Sequence, residues 1–342
     1  MINTFVKREF MYKSRIISVG HYAPESIIYN SDLEKMMDTS NEWIIERTGI
    51  EERRTFKEGY DTTAKMGLRA ARMALERAKM DASEIDMIVF ATLSPEYFFP
   101  GSGLLLQREL GLKNIPCIDV RAQCSGFIYG VSIADQYIKT GLHKNILIVG
   151  SETQTNATEF TNRGRNMAVI FGDGAGAAIM TRASNDYNYV YNTNIHGDGT
   201  FAEELYCQHP GSASKSRITK EMLENGDFLP YMNGNLVFKH AVQRMPESVY
   251  EALNNAGFTT NDLQLLIPHQ ANIRISQFVQ KTLGLNDNQV FNNIQKYGNT
   301  TAATIPMALS EAWEQGKIKE NDLICVTAFG SGFTWGAALF RW

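Results

Sequence analysis

The segments ALERAKMDASEIDMIVFAT (residues 74–92) and ALNNAGFTTNDLQLLIPHQ (residues 252–270) are two copies of one phrase in a chain of 342 residues. They lie 178 positions apart (252 minus 74), and the acidic Glu84 of the first coincides with Asp262 of the second. Each copy predicts the end of a helix, a turn and a short apolar strand that is buried on both faces. The repeat therefore predicts two related halves.

Two further pairs of phrases follow in the same order. The segments Cys124–Gly141 and Asn299–Gly316 both have the apolar spacing of a helix and end in glycine, and they lie 175 positions apart (299 minus 124). This second alignment predicts that Cys124 and Asn299 occupy equivalent helix N-termini.

Strand-like runs come after both predicted helices. They are NILIVGSE (145–152) with LICVTAFG (323–330), and FGDGAGAAIM (171–180) with FGSGFTWGAALF (329–340). Three matched pairs in one order predict an α/β protein whose N-terminal half spans residues 1–182 and whose C-terminal half spans residues 183–342.

Composition excludes several classes of function. The formal net charge is −4, and 20% of the residues are charged, which argues against a general nucleic-acid-binding protein. No apolar run approaches the roughly 18 residues of a membrane span, and charge interrupts the N-terminus before a signal-peptide core can form. The four cysteines form no CxxC pair and the six histidines form no ligand cluster, so we expect a cytoplasmic protein without a metal site.

Cys124 permits two interpretations. A free cysteine packs as a small hydrophobic residue, which is the ordinary structural role of such a thiol. A helix N-terminus, however, offers unpaired N–H groups and a partial positive charge, which would lower the pKa of the thiol and make it a nucleophile. Ser125 and Gly126 are small enough for a sharp strand-to-helix turn, and this favours the nucleophile.

Two polar residues are candidate partners of that thiol. His269 follows a predicted core strand, where it is either a satisfied polar residue or part of a pocket. Asn299 is either a helix N-cap or a hydrogen-bond donor to a substrate, and these two roles are compatible. The glycine phrases lack the G-x-G-x-x-G and P-loop patterns, so Gly330 and Gly332 instead suggest an oxyanion hole of backbone amides.

Cys, His and Asn in this order on a duplicated α/β chain resemble the thiolase superfamily and, more closely, the β-ketoacyl-acyl-carrier-protein synthase III family. The resemblance covers the chain from Met11 to Trp342 and is carried by six phrases: DTSNEWIIERTGIEERR (38–54), AQCSGF (122–127), FGDGAGAA (171–178), PHQANIRI (268–275), YGNTTAATIP (297–306) and FGSGFTWG (329–336). It implies a thiolase-like fold in which the two halves form a five-layer αβαβα arrangement.

The resemblance also implies a mechanism, which is the decarboxylative Claisen condensation of an acyl-CoA primer with malonyl-acyl carrier protein. Cys124 would carry the acyl group, and His269 and Asn299 would donate hydrogen bonds to the malonyl thioester carbonyl. The backbone amides of Cys124 and Ser331 would form the oxyanion hole. Beyond the coenzyme A thioester substrate, no cofactor or metal is implied.

Other residues are implied to bind substrate and partners. Trp43, Arg47, Arg165, Asn235 and Asn272 match coenzyme A or pantetheine contacts, with Arg163 as a competitor of Arg165 because that segment is about two residues longer than the family pattern. Phe99 matches a residue that crosses a homodimer interface to the neighbouring acyl pocket. Lys239, Arg274 and Lys281 match a basic surface for the acidic carrier protein, or are simply a solvated face.

Three alternatives remain open from the sequence. The stretch from Phe201 to Asn233 is longer and more polar than the family pattern, which is compatible with a medium-chain primer and a role in secondary metabolism (a resorcinol, quinolone or polyketide product). A second alternative is transfer of the Cys124 acyl group to oxygen or nitrogen without condensation. A third is a binding module with a decayed site.

Overall fold

The computed structural model describes residues 11–342, so the first ten residues of the predicted N-terminal half lie outside it. The strands are β1 (Ser14–Tyr22), β2 (Ser26–Tyr29), β3 (Glu52–Thr55), β4 (Met87–Ala91), β5 (Cys117–Val120), β6 (Asn145–Glu152), β7 (Gly174–Arg182), β8 (Val190–Gly197), β9 (Leu205–Tyr206), β10 (Tyr231–Met232), β11 (Leu265–Pro268), β12 (Leu323–Gly330) and β13 (Thr334–Arg341). The α-helices are α1 (Asn30–Leu33), α2 (Asn41–Thr48), α3 (Thr63–Ala78), α4 (Ser102–Glu109), α5 (Gly126–Lys139), α6 (Arg165–Ala168), α7 (Lys220–Asn225), α8 (Gly234–Ala256), α9 (Ile273–Leu283), α10 (Ile294–Tyr297) and α11 (Thr304–Glu314).

The repeated phrase folds in the same way in both copies, as the sequence predicts. Residues 74–92 contain the end of α3, a 3-10 turn and β4, and residues 252–270 contain the end of α8, a 3-10 turn and β11. The matched acidic residues do the same work, because Glu84 accepts the amide of Asp81 at 3.0 Å and Asp262 accepts the amide of Thr259 at 2.8 Å. Both are capping boxes that close the turn between helix and strand.

Two mixed sheets repeat one topology. The first has the strand order β1-β7-β6-β4-β5 and the second has the order β11-β12-β13-β8. In both, one parallel pair (β4 with β6, or β11 with β12) continues into two antiparallel pairings. The second sheet keeps only a trace of the equivalent of β5, a single parallel bridge between Val290 and Leu266. In chain order, the first sheet ends at Arg182 and the second begins at Val190. The division of the chain into halves at residue 182 remains a prediction from the sequence.

Five layers result from the way in which helices cover these sheets. The apolar face of α3 packs on β4, β6 and β7, and α8 with α9 packs on β12 and β13. Between the sheets lie α5 and α11, whose side chains share one core with residues of both sheets. Each sheet is therefore buried on both faces, which explains the apolar runs ILIV (146–149) in β6 and LICV (323–326) in β12. The predicted αβαβα arrangement is confirmed.

The two central helices correct one detail of the sequence alignment. Gln123 (φ 43°) and Thr301 (φ 46°) both take the left-handed conformation at the first residue of a 3-10 turn that leads into α5 or α11. Cys124 is thus equivalent to Ala302, 178 positions away (302 minus 124), and not to Asn299. The terminal glycines mislead because α11, with 11 residues, is three residues shorter than α5, with 14.

The long stretch after Phe201 forms its own small ribbon. Strands β9 and β10 pair in antiparallel fashion, and α7 lies between them in the chain. Within residues 11–342, no helix combines the length and apolarity that crossing a membrane would require.

Candidate active site

Cys124 lies in the 3-10 turn Gln123–Ser125, immediately before the first residue of α5. The hydroxyl of Ser125 donates to the carbonyl of Thr334 at 3.0 Å, which fastens this turn to the start of β13. Cys124 as a whole residue is half-buried, whereas Ser125 and Gly126 are buried. The sharp turn that the small residues predict is therefore present.

Gly330 packs directly against this turn from the second sheet. A methyl group placed on Gly330 would lie 2.9 Å from the Cβ of Cys124 and 3.1 Å from its backbone nitrogen. Contacts that short are not tolerated, so this approach requires glycine. The next residue is Ser331, whose amide has no hydrogen-bond partner among residues 11–342. The predicted oxyanion residues Cys124 and Ser331 are therefore brought together.

The electrostatics of Cys124 differ from the prediction. Burial of the thiol, with a further contribution from the Glu152 carboxyl, raises its pKa to about 12. A hydrogen bond from its own amide opposes this shift but is smaller. The expected lowering of the pKa by the helix N-terminus is wrong. Desolvation destabilises the thiolate by more than the short 3-10 turn stabilises it. The raised pKa favours the protonated thiol at neutral pH.

His269 occupies the position that the sequence predicts, one residue beyond the end of β11. Its amide donates to the carbonyl of Thr327 on β12 at 2.8 Å, and its Nδ1 lies 2.7 Å from the hydroxyl oxygen of Thr304. Its Nε2 is buried and has no hydrogen-bond partner among the described residues. Burial lowers the pKa of His269 to about 3, so the imidazole is neutral at pH 7.

Asn299 lies two residues before the 3-10 turn Thr301–Ala303, and it is not a helix N-cap. Its backbone is held by Ile170 and Gly172 through hydrogen bonds of 2.9 and 3.2 Å. Its side-chain oxygen accepts the amide of Thr301 at 2.8 Å. Because that oxygen is engaged, the Nδ2 group is the part of the side chain that remains free to donate.

The two central helix starts touch, and this contact assembles the candidate site. A methyl group placed on Gly126, at the start of α5, would lie 3.4 Å from the Cβ of Ala302. Cys124 is two residues before Gly126, while Asn299 and Thr304 flank Ala302 and Thr304 contacts His269. The three residues predicted to be catalytic are thus gathered at one end of the central layer, on the side where β11 and β12 end.

A cavity of about 370 Å³ contains most of the predicted coenzyme A contacts. Trp43, Arg47, Asn235 and Asn272 all line it. The Asn272 side chain caps α9 by accepting the amide of Arg274 at 2.9 Å and donates to the carbonyl of Arg47 at 2.8 Å, which joins α9 to α2. These residues come from α2, α8 and α9, distant in sequence.

The sequence leaves Arg163 and Arg165 as alternative candidates for one coenzyme A contact. The Arg165 guanidinium lies 5.7 Å from the centre of the Trp43 ring and donates to the carbonyl of Asp38 at 2.6 Å. Arg163 points elsewhere, to the Glu159 carboxylate at 2.8 Å. Of the two, the structure therefore brings only Arg165 to the predicted coenzyme A contacts.

The cavity also has walls that sequence reasoning missed: Thr48, Asn166, Val169, Ile170, Met232, Gly234 and Phe238. Phe238 could have been found, because it precedes the singled-out Lys239 on an amphipathic helix. Thr304 and Glu152 were also missed, and the polar character of Glu152 at the end of the buried run NILIVGSE was the available signal.

The remaining predicted residues lie outside the catalytic centre. Lys239 on α8 and Arg274 and Lys281 on α9 are exposed, and Arg274 also lines the cavity. Phe99 is 80% exposed and does not line the cavity within one chain. No group of three or more His, Cys, Asp or Glu side chains in residues 11–342 is placed to hold a metal ion.

Family models match two parts of the chain. The family model described as 3-oxoacyl-[acyl-carrier-protein] synthase III matches residues 118–199, and its C-terminal counterpart matches residues 253–342. The beta-ketoacyl-[acyl-carrier-protein] synthase III of Geobacillus kaustophilus is 44% identical over 327 residues, which are 96% of this chain and 98% of the relative.

Solved structures show the same likeness. The 3-oxoacyl-[acyl-carrier-protein] synthase III of Aquifex aeolicus is 42% identical, with a TM-score of 0.88 over 96% of this chain and 100% of that one. The priming beta-ketosynthase of the R1128 polyketide pathway is 30% identical, with a TM-score of 0.88 over 98% of each chain. The chain therefore belongs to the 3-oxoacyl-[acyl-carrier-protein] synthase III family.

Proposed function

We propose that this chain condenses an acyl-CoA primer with malonyl-acyl carrier protein, releases carbon dioxide and forms a 3-oxoacyl product through an acyl-Cys124 intermediate. Its relatives are condensing acyltransferases of fatty-acid initiation, and the chain is an enzyme of that kind. The observation that carries the proposal is the convergence of Cys124, His269 and Asn299 at the two touching helix starts, beside the cavity that Trp43 lines.

In the first step, the sulfur of Cys124 attacks the thioester carbonyl of acyl-CoA. The carbon–sulfur bond to coenzyme A breaks, and the thiol proton leaves with the coenzyme A sulfur. Because the pKa of the free thiol is raised to about 12, loss of that proton accompanies the attack and does not precede it. The amides of Cys124 and Ser331 stabilise the oxyanion, since preorganised N–H donors act on charge that develops during reaction.

In the second step, malonyl-acyl carrier protein loses carbon dioxide, and the electron pair of the broken bond forms an enolate. His269 Nε2 and Asn299 Nδ2 donate hydrogen bonds to the enolate oxygen. The enolate carbon then attacks the acyl-Cys124 carbonyl, the acyl–sulfur bond breaks, and the sulfur takes a proton from solvent. Neutral donors suit this step because the negative charge appears on the oxygen only in the reaction.

We further propose that the cavity holds the coenzyme A and pantetheine portions of the substrates. The indole of Trp43 offers a flat face for an adenine, with the guanidinium groups of Arg47 and Arg165 at 5.1 and 5.7 Å from its ring centre. Those cations suit the phosphates of coenzyme A. Asn235 and Asn272 supply amide groups to the pantetheine. The reaction needs no cofactor beyond this substrate.

We propose that Lys239, Arg274 and Lys281 bind the acidic carrier protein. All three are exposed, and none forms an ion pair with another of the described residues. Unpaired cations at the mouth of a substrate cavity attract an anionic partner and raise its association rate. Lys239→Glu with Lys281→Glu should raise the KM for malonyl-carrier at least several-fold and leave acylation by acyl-CoA unchanged.

Lys317→Glu is the matched control for that experiment. Lys317 is exposed and lies before β12, at the end of that strand opposite Gly330. It should leave both steps unchanged. An unchanged KM for the carrier in the Lys239 and Lys281 variant would remove the docking assignment.

We propose that the enzyme is a homodimer that uses the open edge of the first sheet. Strand β5 pairs on one side only, and Tyr97, Phe98 and Phe99 are 58%, 68% and 80% exposed. Exposed aromatic patches of this kind mark association surfaces. Light scattering should give twice the mass of the chain, and Phe98→Asp with Phe99→Asp should halve it. A monomeric wild-type protein would contradict the assignment.

A cytoplasmic location stays a prediction from the sequence.

The curated relatives support fatty-acid initiation over the secondary-metabolic alternative, because those at 41–44% identity are synthases III. The deciding experiment supplies malonyl-carrier labelled at the free carboxyl together with acetyl-CoA or octanoyl-CoA. We expect labelled carbon dioxide and a 3-oxoacyl-carrier in equal amounts. An acyl-Cys124 enzyme that transfers its acyl group without carbon dioxide release would overturn the proposed condensation.

A further inference from the structure

The buried hydroxyl of Thr304 is the only described side-chain partner of the His269 ring. Thr304 is the first residue of α11, and its side chain lies 2.7 Å from Nδ1, while Nε2 has no partner. Both residues are almost fully buried, at 2% and 3% exposure, so water does not readily replace the contact. The ring is therefore oriented by its backbone and by this one hydroxyl.

The position of the ring proton depends on what the hydroxyl does. A neutral imidazole carries one proton, so one ring nitrogen donates and the other accepts. If the Thr304 hydroxyl donates to Nδ1, the proton is on Nε2. If the hydroxyl donates to the carbonyl of Thr301, which is 3.0 Å away, Nδ1 carries the proton and Nε2 has a bare lone pair.

The proposed function requires the first arrangement, because an enolate oxygen needs an N–H donor and Nε2 is the ring nitrogen without a partner. The carbonyl of Thr301 already accepts the backbone amide of Thr304, so it stays satisfied without the hydroxyl. The 2.7 Å between the hydroxyl oxygen and Nδ1 suits a hydrogen bond in either direction, so the demand for a donor at Nε2 decides the direction. An Nε2–H facing the site is then available to the enolate oxygen.

We propose that Thr304 is a positioning residue whose hydroxyl donates to His269 Nδ1 and thereby fixes the ring proton on Nε2. This inference rests on the proposed function, because it explains how a neutral His269 serves as a donor in the decarboxylation step. Thr304 does not touch the substrate and acts through His269.

The same short segment also orients the second donor. The amide of Thr301 binds the side-chain oxygen of Asn299 at 2.8 Å, which turns Nδ2 into the free group. Residues 301–304 thus fix the donor end of both side chains, one through a backbone amide and one through a hydroxyl. Only the second contact can be removed by changing a side chain.

Thr304→Val tests the proposal because valine has the shape of threonine and lacks the hydroxyl. Leaving a buried hydrogen-bonding group without its partner should lower the condensation rate about tenfold to a hundredfold. Acylation of Cys124, followed by intact-protein mass, should change little. Thr304→Ser keeps the hydroxyl and should restore condensation, whereas a purely steric role of the side chain would not be restored by the smaller serine.

Nitrogen-15 NMR of ring-labelled histidine gives a readout that does not need turnover. The chain has six histidines, and the signals absent from His269→Gln identify those of His269. We expect a protonated Nε2 and a hydrogen-bonded, unprotonated Nδ1 in the wild type and in Thr304→Ser, and loss of this pattern in Thr304→Val.

A wild-type proton on Nδ1, or an unchanged pattern and condensation rate in Thr304→Val, would overturn the inference. The first of these outcomes needs no variant, so it stands even if Thr304→Val fails to fold. Failure of the proposed function is seen separately, as absence of labelled carbon dioxide with the wild-type enzyme, and the NMR pattern then tests the ring assignment by itself.

Discussion

The helix start at Cys124 and the helix start at Ala302 share a backbone and differ in chemistry. Both follow a residue with left-handed φ, both pass through a 3-10 turn and both enter a central helix. At the first, the turn residue Cys124 is half-buried and faces Gly330. At the second, the equivalent alanine is 1% exposed and packed between the halves.

In the proposed mechanism, one duplicated element serves two steps of a reaction. The first copy presents its own side chain, a thiol, to the acyl-CoA. The second copy has no reactive side chain at that position and instead uses the amide of Thr301 and the hydroxyl of Thr304 to hold Asn299 and His269. The two helix starts therefore have the same backbone conformation, and they differ in which atoms they present to the site.

The largest expected effect is the pH dependence of alkylation at the Cys124 thiol, which belongs to the first helix start alone. The raised pKa of Cys124 means that the thiolate fraction grows about tenfold for each pH unit up to about pH 12. Alkylation of Cys124 by iodoacetamide in the free enzyme should therefore rise about a thousandfold between pH 7 and pH 10. Peptide mass spectrometry measures the rate at this cysteine.

Cys207 is the comparison in the same digest, because it is an exposed residue outside the site, although partial burial of its thiol raises its pKa as well. A rate at Cys124 that levels off below pH 8 would mean that the helix start does stabilise a thiolate. The two helix starts would then differ in electrostatics as well as in side chains.

The next effect separates decarboxylation, which we assign to residues held by the second helix start, from acylation, which we assign to the first. His269→Ala and Asn299→Ala each remove one donor to the enolate oxygen, and the loss of such a donor costs about 3 kcal/mol, or about a hundredfold in rate. Carbon dioxide release should fall by that factor, while acylation of Cys124 should stay within a few-fold. Asn286→Ala, at an exposed turn, should change neither step. Equal losses in both steps would show that the division of labour is wrong.

The pH dependence of these donors follows from the pKa of His269, which burial lowers to about 3. The ring is neutral and able to donate from Nε2 throughout pH 5 to 9. The carbon dioxide release of the acylated enzyme should therefore show no step near pH 6.5, the ordinary pKa of histidine. A tenfold rise or fall centred there would contradict the neutral-donor account.

The smallest rate change among the site variants tests the contact between Gly330 and Cys124. Gly330→Ala adds a methyl group 2.9 Å from the Cβ of Cys124, so the turn must shift by a few tenths of an ångström. Since small misplacements of a reacting atom are costly, acylation should fall about tenfold. Gly199→Ala is the control, because a methyl group there meets nothing within 4 Å. An unchanged acylation rate would show that Gly330 is not needed to position the thiol.

The sequence predicts those features that depend on local periodicity. The predicted runs NILIVGSE and LICVTAFG coincide with β6 and β12, because a strand buried on both faces carries a continuous apolar run such as ILIV or LICV. The position of His269 just beyond β11 could likewise be predicted, because the apolar run before it indicates a core strand. The five layers came from a family resemblance, and the packing of α5 and α11 between the sheets confirms them.

Other features depend on three-dimensional surroundings and were predicted wrongly or not at all. The alignment of Asn299 with Cys124 failed because one helix is a turn shorter, which leaves the C-terminal glycine in register while the N-terminus is not. The lowered pKa of Cys124 failed because desolvation and the buried Glu152 come from distant segments. The contact between Thr304 and His269 spans 35 positions and has no periodic signal.

The most direct test of the account is the intact mass of the enzyme after incubation with an acyl-CoA, measured for the wild type, Cys124→Ala, Asn299→Ala and Cys207→Ala. The account predicts one acyl increment in the wild type, in Asn299→Ala and in Cys207→Ala, and no increment in Cys124→Ala. A full acyl increment in Cys124→Ala would contradict it, because the acyl group would then be carried by a residue other than the one that the first helix start presents.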